Sequence, residues 1–247
     1  ALSGEEKTRA QQALDALKEA VAETDDALLE KYLETGELSA EQMKAAFHAA
    51  VCSRKLVPVI AGSATTLKGV QELLNIVLFS FPSPADVPRE AFKDDDGSPL
   101  TVAAQADAPF SAQVFKTIFD AYVGQINIFR VFSGTLKANT GFYNVSKKNR
   151  EKLAGIALMQ GKDQKPVDEV GPGDIACVVK LKDTATQDSL SDEKHPVRFA
   201  PIPFPEPALS FSIRPKSRGD EDKISTAIHR LLAEDLTFQA NRDPQTK

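Results

Sequence analysis

Apolar positions along this chain follow a helical period first, a strand-like period in the middle and a helical period again near the end. Ser3 followed by Glu6 makes a capping box, and Leu14, Leu17 and Val21 then repeat at helical spacing. Thr24 is placed to cap a second helix, with Asp25 and Asp26 in its first turn, where the macrodipole favours negative charge. Leu28, Leu29, Tyr32 and Leu33 supply its apolar face, and Gly36 stops it. Ser39 with Gln42 opens a third helix that carries Met43, Ala46, Phe47, Ala50 and Val51 on one side. The continuously apolar run over 56–60 predicts a short strand, and Pro58 favours an edge position for it. After Gly62 and a loop, Val70, Leu73, Leu74, Val77, Leu78 and Phe81 predict one more helix.

Pro82, Pro84 and Pro88, followed by the polar run over 93–98, read as a linker spanning 86–106. The period then changes to short β-rich runs over 111–119, 125–132, 141–146, 151–159 and 174–181. Gly124, Ser133-Gly134, Asn139-Thr140-Gly141 and Gly171-Pro172-Gly173 supply the turns between them. Strands at this spacing predict a small closed β-barrel over 107–200, because closure removes unpaired edges. Ile126 and Ile128 share one face while Phe129 and Val131 share the other, as a bulge produces. The alternating prolines 201, 203, 205 and 207 mark a second seam over 201–207. Beyond it, 208–213 and 238–240 read as strands on either side of a helix with the stripe Ile224, Ala227, Ile228, Leu231 and Leu232. The expected fold class is multidomain, α/β and all-β: a helical, partial α/β piece over 1–85, the barrel, and a partial β-α-β piece over 208–247.

Charge and composition narrow the chemistry. Among 247 residues, 30 Lys plus Arg stand against 35 Asp plus Glu, so any contact with RNA must come from a local basic patch and not from overall charge. No apolar run is long enough to cross a bilayer, and no membrane partner is expected. Cys52 and Cys177 are isolated, without CxxC spacing, which fits a reducing, cytoplasmic setting and buried, unreactive thiols. His48, His195 and His229 lack the spacing of metal ligands, so no metal site is assigned. The chain opens on Ala1 and closes on a polar stretch, and reads as a piece cut from something longer.

The stretch LVPVIAGSATTLKGVQELLNIVLFSFPSP resembles the end of the G domain of elongation factor G. AYVGQINIFRVFSGTL resembles the second-domain barrel of the same family, PFPEPALSFSIRPKSRGDEDKISTAIHRLLAED the opening of its third domain, and ETDDALLEKYLETGELSAEQMKAA its helical region. Together they cover nearly the whole chain in the family's order. The resemblance implies a ribosome-dependent GTPase of protein synthesis, a partial ferredoxin-like third domain, a monomer, and docking of the second domain on small-subunit RNA. Gly62, Ser63, Ala64 and Thr65 then become one wall of a guanine pocket, where small side chains let backbone N–H groups approach the base. Thr65 stands where the family has Leu, Lys or Phe. GTP or GDP and Mg²⁺ are implied for the intact protein. For this chain alone no cofactor and no catalytic residue is expected, since neither GxxxxGK[ST] nor NKxD occurs in it.

The second candidate site is the basic turn with Lys147, Lys148, Arg150 and Lys152, which either contacts RNA phosphates or is a solvated turn blunting a strand end. Lys116 and Arg130 also fall in matched stretches. Gln125 replaces the family's Arg or Lys after Val123-Gly124, and Gln187 replaces its glycine in Thr186-Gln187-Asp188-Ser189-Leu190, departures that favour a divergent paralogue. A ribosomal-protection or release-factor-type GTPase, or a stand-alone RNA- or protein-binding barrel without nucleotide chemistry, are the alternatives.

Overall fold

Capping chemistry decides where the first helices begin in the computed structural model, which describes residues 3–120 and 122–241. In α1 (Gly4–Ala22) the Ser3 hydroxyl accepts from the Glu6 N–H, and the Ser3 N–H donates to the Glu6 carboxylate at 2.7 Å. In α2 (Asp26–Thr35) the cap is Asp25, which accepts from the Leu28 N–H at 3.0 Å, while Thr24 donates its hydroxyl back to the Val21 carbonyl. A carboxylate both accepts that bond and complements the helix dipole, so it prevails over the expected threonine. Gly36 closes α2 with φ 69°, and the Ser39/Gln42 box opens α3 (Ala40–Cys52). These helices and α4 (Val70–Ser80) belong to the first of two units, Ala1–Ser83, with Val21, Ala22, Ala46 and Ala50 buried.

The strand expected over 56–60 does not form. Exposed Val57 and Val59 (77% and 92%) alternate with half-buried neighbours, so the period of burial is a strand's but no ladder is made. A strand exists only through a partner's N–H and C=O groups, and among the described residues none lies alongside. The segments 208–213 and 238–240 likewise carry no ladder, which leaves α5 (Glu221–Glu234) as the regular element of the C-terminal piece, preceded by a 3₁₀ turn (Arg218–Asp220).

The second unit, Pro84–Lys247, is built on antiparallel strands. The span read as a linker contains a hairpin, β1 (Arg89–Lys93) and β2 (Pro99–Val102). The strands that follow are β3 (Ser111–Asp120), β4 (Gly124–Ser133), β5 (Leu136–Lys137), β6 (Gly141–Asn144), β7 (Asn149–Lys152), β8 (Ile156–Gln160), β9 (Asp163–Val167), β10 (Glu169–Val170), β11 (Ile175–Val179), β12 (Ser189–Ser191) and β13 (Val197–Arg198). Strand β13 pairs with β1, Phe132 and Phe199 meet at 4.7 Å, and the Arg89 guanidinium lies over the Phe132 ring. The run expected over 151–159 is two strands, β7 and β8, broken at 153–155.

The main sheet runs β7-β6-β12-β3-β4-β11-β8-β9. Its ladders do not close into the expected barrel: β7 and β9 remain edges. Pro166 in β9 cannot donate to a ladder, and β7 carries Arg150 and Lys152, both of which blunt an edge. The sheet nevertheless wraps one core containing Val114, Phe129, Val131, Phe142, Val178 and Leu190. The β3–β4 pairing is interrupted twice: Val114 faces Phe129 and Lys116 faces Ile128, so Phe115 is an extra residue on β3 at the change of face, and Ser111 faces Ser133 while Ala112 faces Val131, so Phe132 is an extra residue at the end of β4. Phe129 and Val131 enter the main core, while Ile126 and Ile128 join Cys177 in a second cluster on the other face. Gly134 (φ 67°) is required at the end of β4, since a Cβ there would lie 2.5 Å from the Phe110 backbone.

Candidate functional site

The loop after residue 60 is pinched at its base. The Ser63 N–H donates to the Lys68 carbonyl at 2.9 Å, and Gly69 (φ 79°) approaches Ala61 so closely that a Cβ would sit 2.6 Å from its carbonyl oxygen. Inside, Ser63 Oγ lies 3.2 Å from Thr65 Oγ1 and accepts from the Thr66 N–H at 3.3 Å. The donors expected to face a base are therefore distinguished: the Ser63 N–H is taken up inside the loop, whereas Ala64 and Thr65 are exposed and their N–H groups make no hydrogen bond among the described residues. Gly62 is also exposed and lies against the Lys68 carbonyl, at 3.1 Å from where its Cβ would be. The loop thus offers two free donors to an acceptor edge, which suits a guanine O6.

The basic turn belongs to the second unit. β6 and β7 pair from Gly141↔Lys152 to Asn144↔Asn149, leaving a loop of residues 145–148 that ends with Lys148 in the left-handed conformation, φ 55°. Asn144 Oδ1 accepts from the Lys147 N–H at 3.0 Å and sets the first bend. The structure separates the residues that the sequence grouped. Lys147 and Lys148 are exposed at the tip, and Arg150 and Lys152 are exposed on the strand. Arg150 pairs with Glu193, whose hydrogen bond and charge hold the guanidinium more firmly protonated. Glu151 is buried, and its carboxylate accepts from the Lys182 N–H at 2.7 Å and from the Thr184 hydroxyl at 2.5 Å.

That carboxylate is one node of a buried polar network under the turn. Asn144 Nδ2 donates to Thr184 Oγ1 and to Asp188 Oδ2, which also accepts from the Ala185 N–H. Asn127 donates to Thr117 and to the Thr184 carbonyl, and Gln125 reaches that same carbonyl at 2.9 Å. Asn127 and Asn144 are fully buried, so these bonds are made away from water, where leaving one unmade costs about 1–3 kcal/mol. Sequence reading missed this assembly because its members lie far apart; the bond from Lys182 to Glu151 spans 31 residues. Lys116 and Arg130 are both exposed. Cys177 is buried, and burial pushes its thiol pKa up, whereas Cys52 is only half-buried, 3.5 Å from His48 Nε2. Among the described residues no cluster of His, Cys, Asp and Glu could hold a metal ion, and no helix is long and apolar enough to cross a membrane.

Residues 109–193, which hold this network and the turn above it, match the family model described as elongation factor G domain 2, and residues 204–247 match the one described as elongation factor G, domain III. The chain is elongation factor G-like. A crystal structure of a protein from Thermus thermophilus is similar over 99% of this chain, at 31% sequence identity and a TM-score of 0.79. The chain spans 34% of the length of that protein. Within the elongation factor G-like chain, the basic turn is a hairpin tip of domain II, and the stretch from 204 onward, with residues 242–247 outside the described ones, is the domain III portion.

Proposed function

We propose that this chain serves a ribosome-dependent GTPase of protein synthesis, of the kind that drives translocation or a related step, and that its domain II docks on small-subunit RNA through the turn at Lys147 and Lys148. The observation that carries this reading is the geometry of the turn. Two lysines stand exposed at its tip, free of ion pairs among the described residues, on a base made rigid by buried hydrogen bonds. Lysines so placed contact phosphates without reading sequence, and each contact makes binding weaker as salt rises. Arg150, being paired with Glu193, contributes less than the two lysines.

In the intact protein, the loop at Gly62, Ser63, Ala64 and Thr65 would hold the guanine edge of GTP or GDP through the Ala64 and Thr65 amides, with GTP and Mg²⁺ supplying the phosphoryl chemistry elsewhere. This chain's own part is to present those donors and to keep the loop short and closed. Cosedimentation of the chain with purified small ribosomal subunits tests the docking. The expected result is that K147E/K148E lowers affinity at low salt and reduces the slope of log affinity against log salt by about 2. Unchanged affinity and slope would overturn it. Calorimetric titration with GTP and Mg²⁺ is expected to give no measurable heat from this chain alone, because most orienting contacts in such sites are to phosphates and Mg²⁺. Micromolar binding would overturn that expectation.

A further inference from the structure

We propose that Lys180 and Lys182 join Lys147 and Lys148 to form a two-loop cradle for an RNA phosphate backbone, with Glu151 as the residue that positions the second loop. This rests on reading domain II as an RNA-docking module, and extends it to a loop that neither the basic motif nor the matched stretches single out.

Three observations bring the loops together. Asn149, the first residue of β7, donates from Nδ2 to Asp183 at 2.7 Å, and Glu151 on the same strand accepts from the Lys182 N–H and the Thr184 hydroxyl. The segment 180–184 is thereby laid alongside the strand that leaves the basic turn. All four lysines are exposed, and none forms an ion pair among the described residues. The acidic groups nearby are already engaged: Asp183 by Asn149, Glu193 by Arg150, and Glu151 and Asp188 by buried hydrogen bonds. These bonds fix the carboxylates in place and leave their charge, so the balance is a count: Lys147, Lys148, Arg150, Lys152, Lys180 and Lys182 carry six positive charges against four negative ones on Glu151, Asp183, Asp188 and Glu193, which makes the patch net positive on a chain that is net negative, −5 overall.

Backbone conformation points the same way. Of the six described residues other than glycine with positive φ, two are Lys148 (φ 55°) and Lys180 (φ 61°), one in each loop. Glycine would hold either position without the steric cost a Cβ incurs, so a lysine there trades local stability for a placed charge. Strain of this kind gathers where a side chain has a task.

The test uses the full chain, with K147E/K148E, K180E/K182E and E151Q variants, against an RNA duplex of about 16 base pairs and against purified small ribosomal subunits, across a salt series. K180E/K182E is expected to weaken duplex binding by roughly tenfold at low salt and to reduce the salt slope by about 2, as K147E/K148E does. Wild-type affinity and slope in K180E/K182E would overturn the cradle, as would failure of the wild-type chain to bind the duplex. E151Q sharpens the test because it removes an acidic group beside the patch: if charge alone mattered, RNA would bind more tightly. Weaker binding is expected, because an amide cannot accept from both the Lys182 N–H and the Thr184 hydroxyl with two oxygens. Tighter binding would overturn the positioning role. Loss of small-subunit binding in K147E/K148E alone, with K180E/K182E unaffected on both probes, removes the cradle and leaves the ribosomal reading. Duplex binding that needs all four lysines, with small subunits not bound, keeps the cradle and removes that reading.

Discussion

Strand β4 and the segment over 56–60 are alike as sequences and unlike as structures. Both are dense in Val, Ile and neighbouring apolar residues, yet Phe129 and Val131 are 1% and 0% exposed while Val57 and Val59 are 77% and 92% exposed. β4 lies between β3 and β11, which satisfy its backbone on both sides and bury its two faces in separate clusters. The segment over 56–60 has the alternation, and among the described residues it has no strand to pair with. Apolar patterning states a preference for a strand; pairing within reach of the chain decides whether the preference is met.

If that contrast is right, truncating the buried partner should have the greatest effect. Phe129→Ala is expected to destabilise the β unit by about 3–5 kcal/mol, read as a lower denaturant midpoint. A loss below about 1 kcal/mol would mean the β core tolerates truncation as an exposed segment does. Asn144→Ala comes next. It removes the acceptor of the Lys147 N–H and the donor to Asp188, with an expected loss of about 1–3 kcal/mol and a lowered protection of the 145–148 amides in hydrogen exchange. Gln187→Gly reverses the sign. Gln187 has φ 79° where the family carries glycine, so this substitution is expected to stabilise by about 1 kcal/mol, read as a higher midpoint. A loss would show that the bond from Gln187 Nε2 to the Ile202 carbonyl outweighs the backbone strain. Val59→Ser should have the smallest effect, within about 0.5 kcal/mol, because it removes no packed contact. A loss above about 1 kcal/mol would place Val59 in a buried environment and end the contrast with β4.

The thiols offer a chemical version of the same contrast. Cys177 is buried in β11, where burial disfavours its thiolate, and Cys52 is half-buried on α3. In the folded chain near pH 8, iodoacetamide is expected to alkylate Cys52 first, and mass spectrometry of the modified peptides checks it. The raised Cys177 pKa also carries a sign for stability. The unfolded chain loses that proton first, so this contribution is present at neutral pH and is lost as pH rises above the ordinary thiol range.

Much of the architecture could be read from local chemistry. Ser3 with Glu6, Ser39 with Gln42, and Gly36 each acted through residues three or four positions away, and each was legible. The loop of Gly62 to Thr65 and the tip at Lys147 and Lys148 were legible for the same reason, as turns between periodic segments. Harder were short strands such as β12 and β13, whose two or three residues carry no period of their own and exist because β3, β6 or β1 runs beside them. Arg150 and Glu151 show the limit within a single hexapeptide. Sequence places Arg150 in the basic turn and Glu151 where the next strand begins, but strand alternation turns one outward to Glu193 and the other inward to Thr184.

What the sequence determined by itself was therefore the set of interactions whose partners are neighbours along the chain: helix starts and stops, the glycine turns, the change of period from helix to strand, and a family resemblance carried by contiguous motifs. Tertiary structure alone decided which apolar runs became ladders, where the bulges of β3 and β4 fell, why the sheet keeps β7 and β9 as edges, and which loop lies beside β7. The physical reason lies in the distances involved. A capping bond reaches three residues, but the bond that sets Lys182 beside β7 closes 31 residues and forms only once the sheet has brought its ends together.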